Sequence, residues 1–115
     1  IANLIVGEDK LRRVARLASH CRLSLTVDST EHLIMIANVL GRRAGRLQLL
    51  VEVNSGMNRN GVDSYKQLEK IFKTAASMKN INLVGLMTHA GTGIHWHHGG
   101  GFACQLCTAT PTLRL

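Results

Sequence analysis

The residue types best suited to chemistry fall in one run, Glu52-Val53-Asn54-Ser55-Gly56-Met57-Asn58-Arg59-Asn60-Gly61-Val62. It follows an apolar stretch, turns on two glycines and carries one fixed cation, Arg59. Glycine lets backbone approach a ligand closely, and a guanidinium offers a planar, permanently charged fork to an oxyanion or a phenolate. A second run, Thr88-His89-Ala90-Gly91, also leaves an apolar stretch and carries one histidine. Gly7 and Asp28 occupy equivalent places upstream. In parallel α/β folds such strand-end residues converge on one mouth, which is where reactive groups stand.

A different chemistry is suggested near the end of the chain. His95, His97, His98, Cys104 and Cys107 form a cluster of borderline-soft ligands, and a Cys-x-x-Cys beside a histidine pair could bind zinc. A strong zinc signature has two well-spaced ligand pairs with a compact fold between them. The glycine run at 99–101 offers neither, so an unstructured tail is the competing reading and no residue is assigned to a metal.

The elements that must position the strand-end residues can be read from periodicity. Ala2 to Val6 reads as a short buried strand, and Gly7 with Glu8 and Asp9 opens a helix whose Leu11, Val14, Leu17 and Ala18 recur at helical spacing. That helix should end near His20. Leu23 to Val27 is a second strand. Ser29 is an N-cap candidate for a helix with Leu33, Ile36, Ala37 and Leu40 on its apolar stripe, stopped by Gly41. Leu47 to Val53 is a third strand. Ser64 with Gln67 gives a capping-box signal for a helix running to about Met78, with Leu68, Ile71, Phe72 and Ala75 on its buried face. Leu83 to Met87 is a fourth strand. Right-handed crossovers turn this β-α-β-α-β-α-β order into four parallel neighbours, which suits either part of a barrel or an open doubly wound sheet.

Composition limits the function classes. The chain has 115 residues, 45% of them hydrophobic and 18% charged, enough for one globular core. A complete eight-stranded barrel takes about 250 residues. No apolar run approaches the roughly 20 residues that cross a bilayer, and no basic-then-apolar signal opens the chain, so a cytoplasmic location without membrane contact is expected. The net charge of +7 invites a nucleic-acid partner. However, the basic residues are spread over two expected helices and a turn, and four aromatic side chains offer little for stacking on bases, so no nucleic-acid partner is expected. Three cysteines do not make a disulfide framework, and Cys21 is expected to be a packed thiol. The chain opens on Ile1 within an apparent strand, and βα alternation stops near Thr92. A fragment is therefore expected, with a partial barrel domain over 1–91 and an irregular or aberrant tail over 92–115.

VEVNSGMNRNGV resembles the fourth-strand motif of fold-type III pyridoxal-phosphate enzymes, the family of the alanine racemase N-terminal (β/α) barrel, and VGLMTHAG is similar to the strand that follows it. With IANLIV and LTVDS upstream, the likeness covers about residues 1–91 in colinear order. It implies a partial (β/α)8 TIM-type barrel with about four parallel strands and three helices. It also implies pyridoxal phosphate as cofactor and a small-molecule D-amino acid substrate for the full-length enzyme, which would have scope for a divalent metal and for homodimerisation. By the same resemblance Arg59 matches the arginine that bonds the cofactor's phenolic oxygen, and His89 the histidine that packs near its ring. The alternatives are a loop arginine on a backbone carbonyl and an ordinary strand-end histidine.

The racemase branch usually has lysine where this chain has Glu52, and an Asp-Thr pair where it has Asn54 and Ser55. Those departures point to the D-threonine aldolase and D-serine dehydratase branch. A barrel-facing Glu52 needs a cationic or donor partner, for which Arg59 is the one candidate in its segment; otherwise Glu52 faces a helix end. The resemblance also implies a gap. The lysine that carries the cofactor lies upstream in the family, while Lys10, Lys66, Lys70, Lys73 and Lys79 fall on expected helices or their ends, so no catalytic residue is assigned. The expected function is thus a fragment of a lyase acting on D-amino acids, inactive by itself. The alternative is a non-enzymatic module with a His/Cys metal-binding tail or a basic partner-binding surface.

Overall fold

The computed structural model describes residues 1–89. Three helices and three strands alternate along the chain: α1 (Glu8–Leu17), β1 (Ser24–Val27), α2 (Thr30–Leu40), β2 (Gln48–Val53), α3 (Tyr65–Ala76) and β3 (Leu83–Thr88), with a 3-10 turn over Gly41–Arg46. The strands are all parallel in the order β1-β2-β3, with Leu25 opposite Leu49, Val27 opposite Val51 and Glu52 opposite Met87. Sequential order without a reversal is what a barrel wall requires. α2 packs between α1 and α3, and the core joins all three helices to one face of the sheet. This is the α/β architecture of a partial barrel.

Local chemistry explains the helix ends. The Ser29 side chain accepts from the His32 backbone N–H, capping α2. At α3, Ser64 accepts from Gln67 N while Gln67 Oε1 accepts from Ser64 N and Asp63 N, a complete capping box. α1 lacks a side-chain cap and relies on Glu8 and Asp9 at the positive end of its dipole.

The core stripe of α2 is as expected, and Leu33 and Ile36 are fully buried against Leu25, Val27, Leu49 and Val51. On α1 the buried set is Leu11, Val14 and Ala15, whereas Leu17 is 53% exposed. Six residues beyond Leu11 at about 100° each carries Leu17 off the inward face, so its inclusion in the stripe is corrected.

The first expected strand does not form. Its segment is reduced to one bridge, Leu4 to Thr26. Side chains take the backbone groups a ladder would use: Leu4 N–H donates to Asn3 Oδ1, and the Ile5 carbonyl bonds the His32 ring at 3.0 Å. The expected four strands are therefore three plus this bridge. Cys21, expected as a packed thiol, is exposed because the chain leaves α1 there on the surface.

At β3, Leu86 lies in register with Val51 on the helix-covered face, yet is 49% exposed. No described helix follows β3 to cover it.

Candidate functional site

Alternation along the strands divides the sheet into two faces. Leu25, Val27, Leu49, Val51 and Val53 point into the helix-packed core. Thr26, Leu50, Glu52, Gly85 and Met87 therefore line the opposite face, the one a barrel turns inward. The bond from Ser24 Oγ to Gln48 Oε1 and the approach of the Leu50 side chain to Gly85 agree with that division.

At the carboxyl end of β2 the chain doubles back on itself. Val62 N–H donates to the Glu52 carbonyl at 2.8 Å, and Asn54 N–H donates to the Val62 carbonyl at 3.0 Å. Gly61 permits this closure: its φ is +103°, and a Cβ there would lie 2.6 Å from Asn54 N. Inside the loop the Asn54 amide donates to Asn58 Oδ1 and to Asp63 Oδ1, and its oxygen accepts from the Gly56 and Asn58 backbone N–H groups. An aspartate could accept those two bonds but could not donate the other two. This is what Asn54 does where the racemase branch has aspartate.

The folded loop presents Arg59 outward. Arg59 is exposed and forms no ion pair with a described residue. His89 stands just past β3, and its carbonyl accepts from Ser55 Oγ at 3.4 Å. Thr88 Oγ1 donates to the Val53 carbonyl at 2.9 Å, so the two strand ends are tied twice. Arg59 and His89, 30 residues apart in sequence, line one cleft together with Glu52, Ser55, Met57 and Asn60. The cleft itself measures about 10 Å³, near the minimum for a single water.

Glu52 faces the barrel side and not a helix end. It is 3% exposed, its Oε2 has no hydrogen-bond partner among the described residues, and Arg59 is not within ion-pair distance of it. The pairing considered between Glu52 and Arg59 is thus not made among the described residues. Two further buried polar atoms escaped the sequence reading: Thr26 Oγ1 on the same face, and Nδ1 of His32. Thr26 carried a signal, a hydroxyl within an apolar strand. His32 carried none beyond its place in the first turn of α2.

All five lysines lie away from the strands. Lys10 is on α1, Lys66, Lys70 and Lys73 are on α3, Lys79 follows it, and each is exposed. His95, His97, His98, Cys104 and Cys107, and the expected tail over 92–115, lie outside the described residues. Among the described residues no group of histidine, cysteine, aspartate or glutamate could hold a metal, and no helix is long and apolar enough to cross a membrane.

A parallel βα wall with a glycine-turned, arginine-bearing loop at a strand end defines a segment of an α/β barrel with its site at the strands' carboxyl ends. Residues 3–99 match the family described as alanine racemase, N-terminal domain, and the chain belongs to that family. The family depends on pyridoxal phosphate. A D-threonine aldolase of Arthrobacter sp is 27% identical over 96 residues, which are 84% of this chain and 25% of that protein. The crystal structure of D-threonine aldolase from Filomicrobium marinum superposes with a TM-score of 0.66 at 27% identity, covering 73% of this chain and 23% of that one. The chain thus spans about a quarter of the length of either relative. Arg59, without an ion pair among the described residues, and the strand-end His89 line the same cleft, and a guanidinium is a donor set suited to an oxyanion such as a phenolate.

Proposed function

We propose that this chain is the cofactor-facing wall of a pyridoxal-phosphate-dependent lyase that acts on D-amino acids, and that it is inactive by itself. The observation that carries this reading is the meeting of Arg59 and His89 in one cleft while every lysine is exposed on a helix or turn. Pyridoxal phosphate, when bound, delocalises the charge left at an amino acid's α-carbon. Arg59 would hold the phenolic oxygen through a charge-assisted hydrogen bond, His89 would lie beside the ring, and the Asn54-ordered loop would set where the Arg59 backbone stands. Residues 1–91 act as the barrel part. In the whole enzyme the substrate is a small β-hydroxy D-amino acid, split to an aldehyde and a smaller amino acid or dehydrated. The likeness to D-threonine aldolases favours the first reaction.

Pyridoxamine phosphate is the suitable probe, because it lacks the aldehyde that exposed lysines would capture. The chain is expected to bind it weakly and saturably, with affinity lowered about tenfold in Arg59→Gln as one charge-assisted bond is lost. D-threonine should not be cleaved when pyridoxal phosphate is supplied. Equal affinity in the variant would remove Arg59 from the site. Turnover accompanied by stoichiometric labelling of one lysine would overturn the claim of inactivity.

A further inference from the structure

Along α1 and the 3-10 turn the surface changes character. α1 and the 3-10 turn before β2 together carry six arginines and one lysine, whereas α3 carries three lysines and no arginine. Four of those arginines, Arg12, Arg13, Arg16 and Arg43, line a single groove of about 430 Å³ with Asp9 as the one acidic member. Helices in a parallel α/β wall run antiparallel to the strands, so Arg16 in the last turn of α1 lies near the strands' amino ends. So does Arg43, a few residues before β2. The groove runs along α1 from Asp9 in its first turn to Arg16 in its last, and it shares no lining residue with the cleft that holds Arg59 and His89.

Charge is the distinctive property of this groove. Arg12 pairs with Glu8 at 2.9 Å, but Arg13, Arg16 and Arg43 form no ion pair with a described residue. Lys73 on the far helix, by contrast, is matched by Glu69 at 2.7 Å. Like charges gathered in one concavity repel one another and focus a positive potential that an anion relieves. The volume falls in the range of small-ligand sites, roughly 300–1,000 Å³, and guanidinium forks suit multidentate phosphate oxygens better than ammonium groups do. Among the described residues no aromatic side chain lines the groove to stack on a base.

We infer that this groove is a binding site for an oligophosphate chain, free or carried by a nucleotide, recognised through its charge alone. It is separate from the cofactor cleft and stands or falls independently of the lyase reading.

Calorimetric titration of the whole chain with inorganic tripolyphosphate tests it. One saturable site is expected, weakened at higher salt because the contacts are exposed and screened. A nucleoside triphosphate should bind within about threefold of tripolyphosphate, since its base makes no stacking contact. The exposed pair Arg13→Gln with Arg43→Gln should weaken binding at least about tenfold through lost charge-assisted bonds. Lys66→Gln with Lys70→Gln, which changes the net charge equally, should leave it within about twofold, the distant charges being screened. Absence of a saturable site, equal weakening by the lysine pair, or a nucleotide bound far more tightly than tripolyphosphate would each overturn the assignment.

Discussion

The two faces of the β1-β2-β3 sheet solve different problems. The helix-covered face is a closed apolar pack in which Leu25, Leu33, Ile36, Leu49, Val51 and Ile71 are almost wholly removed from water. The barrel-side face places Thr26 and Glu52 among Leu50, Gly85 and Met87, with Thr26 Oγ1 and Glu52 Oε2 buried and without a hydrogen bond among the described residues. Each unbonded buried polar atom costs free energy, whereas the apolar face gains it. One face holds the fold together, and the other carries buried polar groups without a partner among the described residues.

Substitutions on the two faces should therefore differ in size and in sign. Leu33→Ala on the helix face should cost about 2–5 kcal/mol by chemical denaturation, because it leaves a cavity in a close-packed layer. Glu52→Leu on the other face should stabilise the chain by about 1–2 kcal/mol, because it removes an unpaired buried carboxylate. If Glu52→Leu instead destabilised the chain as Leu33→Ala does, the division between the faces would be wrong.

The strand-end loop belongs with the second face, and Asn54→Asp probes it. The change removes two donated bonds and sets a carboxylate against Asp63, so a loss of about 1 kcal/mol is expected, together with weaker binding of pyridoxamine phosphate. A loss of stability with unchanged binding would separate loop order from the site.

The smallest effect lies at the entry to α2. Glu31 is held below the usual carboxylate range by its own backbone N–H and by the Thr30 hydroxyl. A depressed folded pKa contributes stability above the ordinary carboxylate range and loses it as pH falls through the folded value. Glu31→Gln should therefore lower stability slightly at neutral pH, leave it almost unchanged in acid, and so flatten the acid limb of a stability-against-pH curve. A loss that persists in acid, where the carboxyl is protonated, would mean that the side chain carries packing as well as charge.

Much of the fold was legible in residue order. Ser29 and the Ser64–Gln67 box mark helix starts because capping bonds span three residues, and β1, β2 and β3 fall within one residue of the apolar runs that announce them. Ala2 to Val6 misled because an apolar run states a preference but not a partner. Here Asn3 and His32 take the backbone groups first. Leu17 misled for a related reason, since only the final packing of α1 shows which of two neighbouring stripes is covered.

The candidate site divides along the same line. Arg59 and His89 could be singled out from motifs at strand ends, and the absence of a lysine on any described strand is visible from residue order once the strands are located. That the two residues share a cleft, that Glu52 faces the barrel side without Arg59 as a partner, and that four arginines gather in one groove required the tertiary structure. The sequence by itself determined what depends on contacts three or four residues apart: helices, caps, the glycine turn and the identity of the reactive side chains. Only the fold decided which face of the sheet each strand residue occupies and which distant groups meet. Strand register flips every side chain with a one-residue shift, and no local interaction sets it.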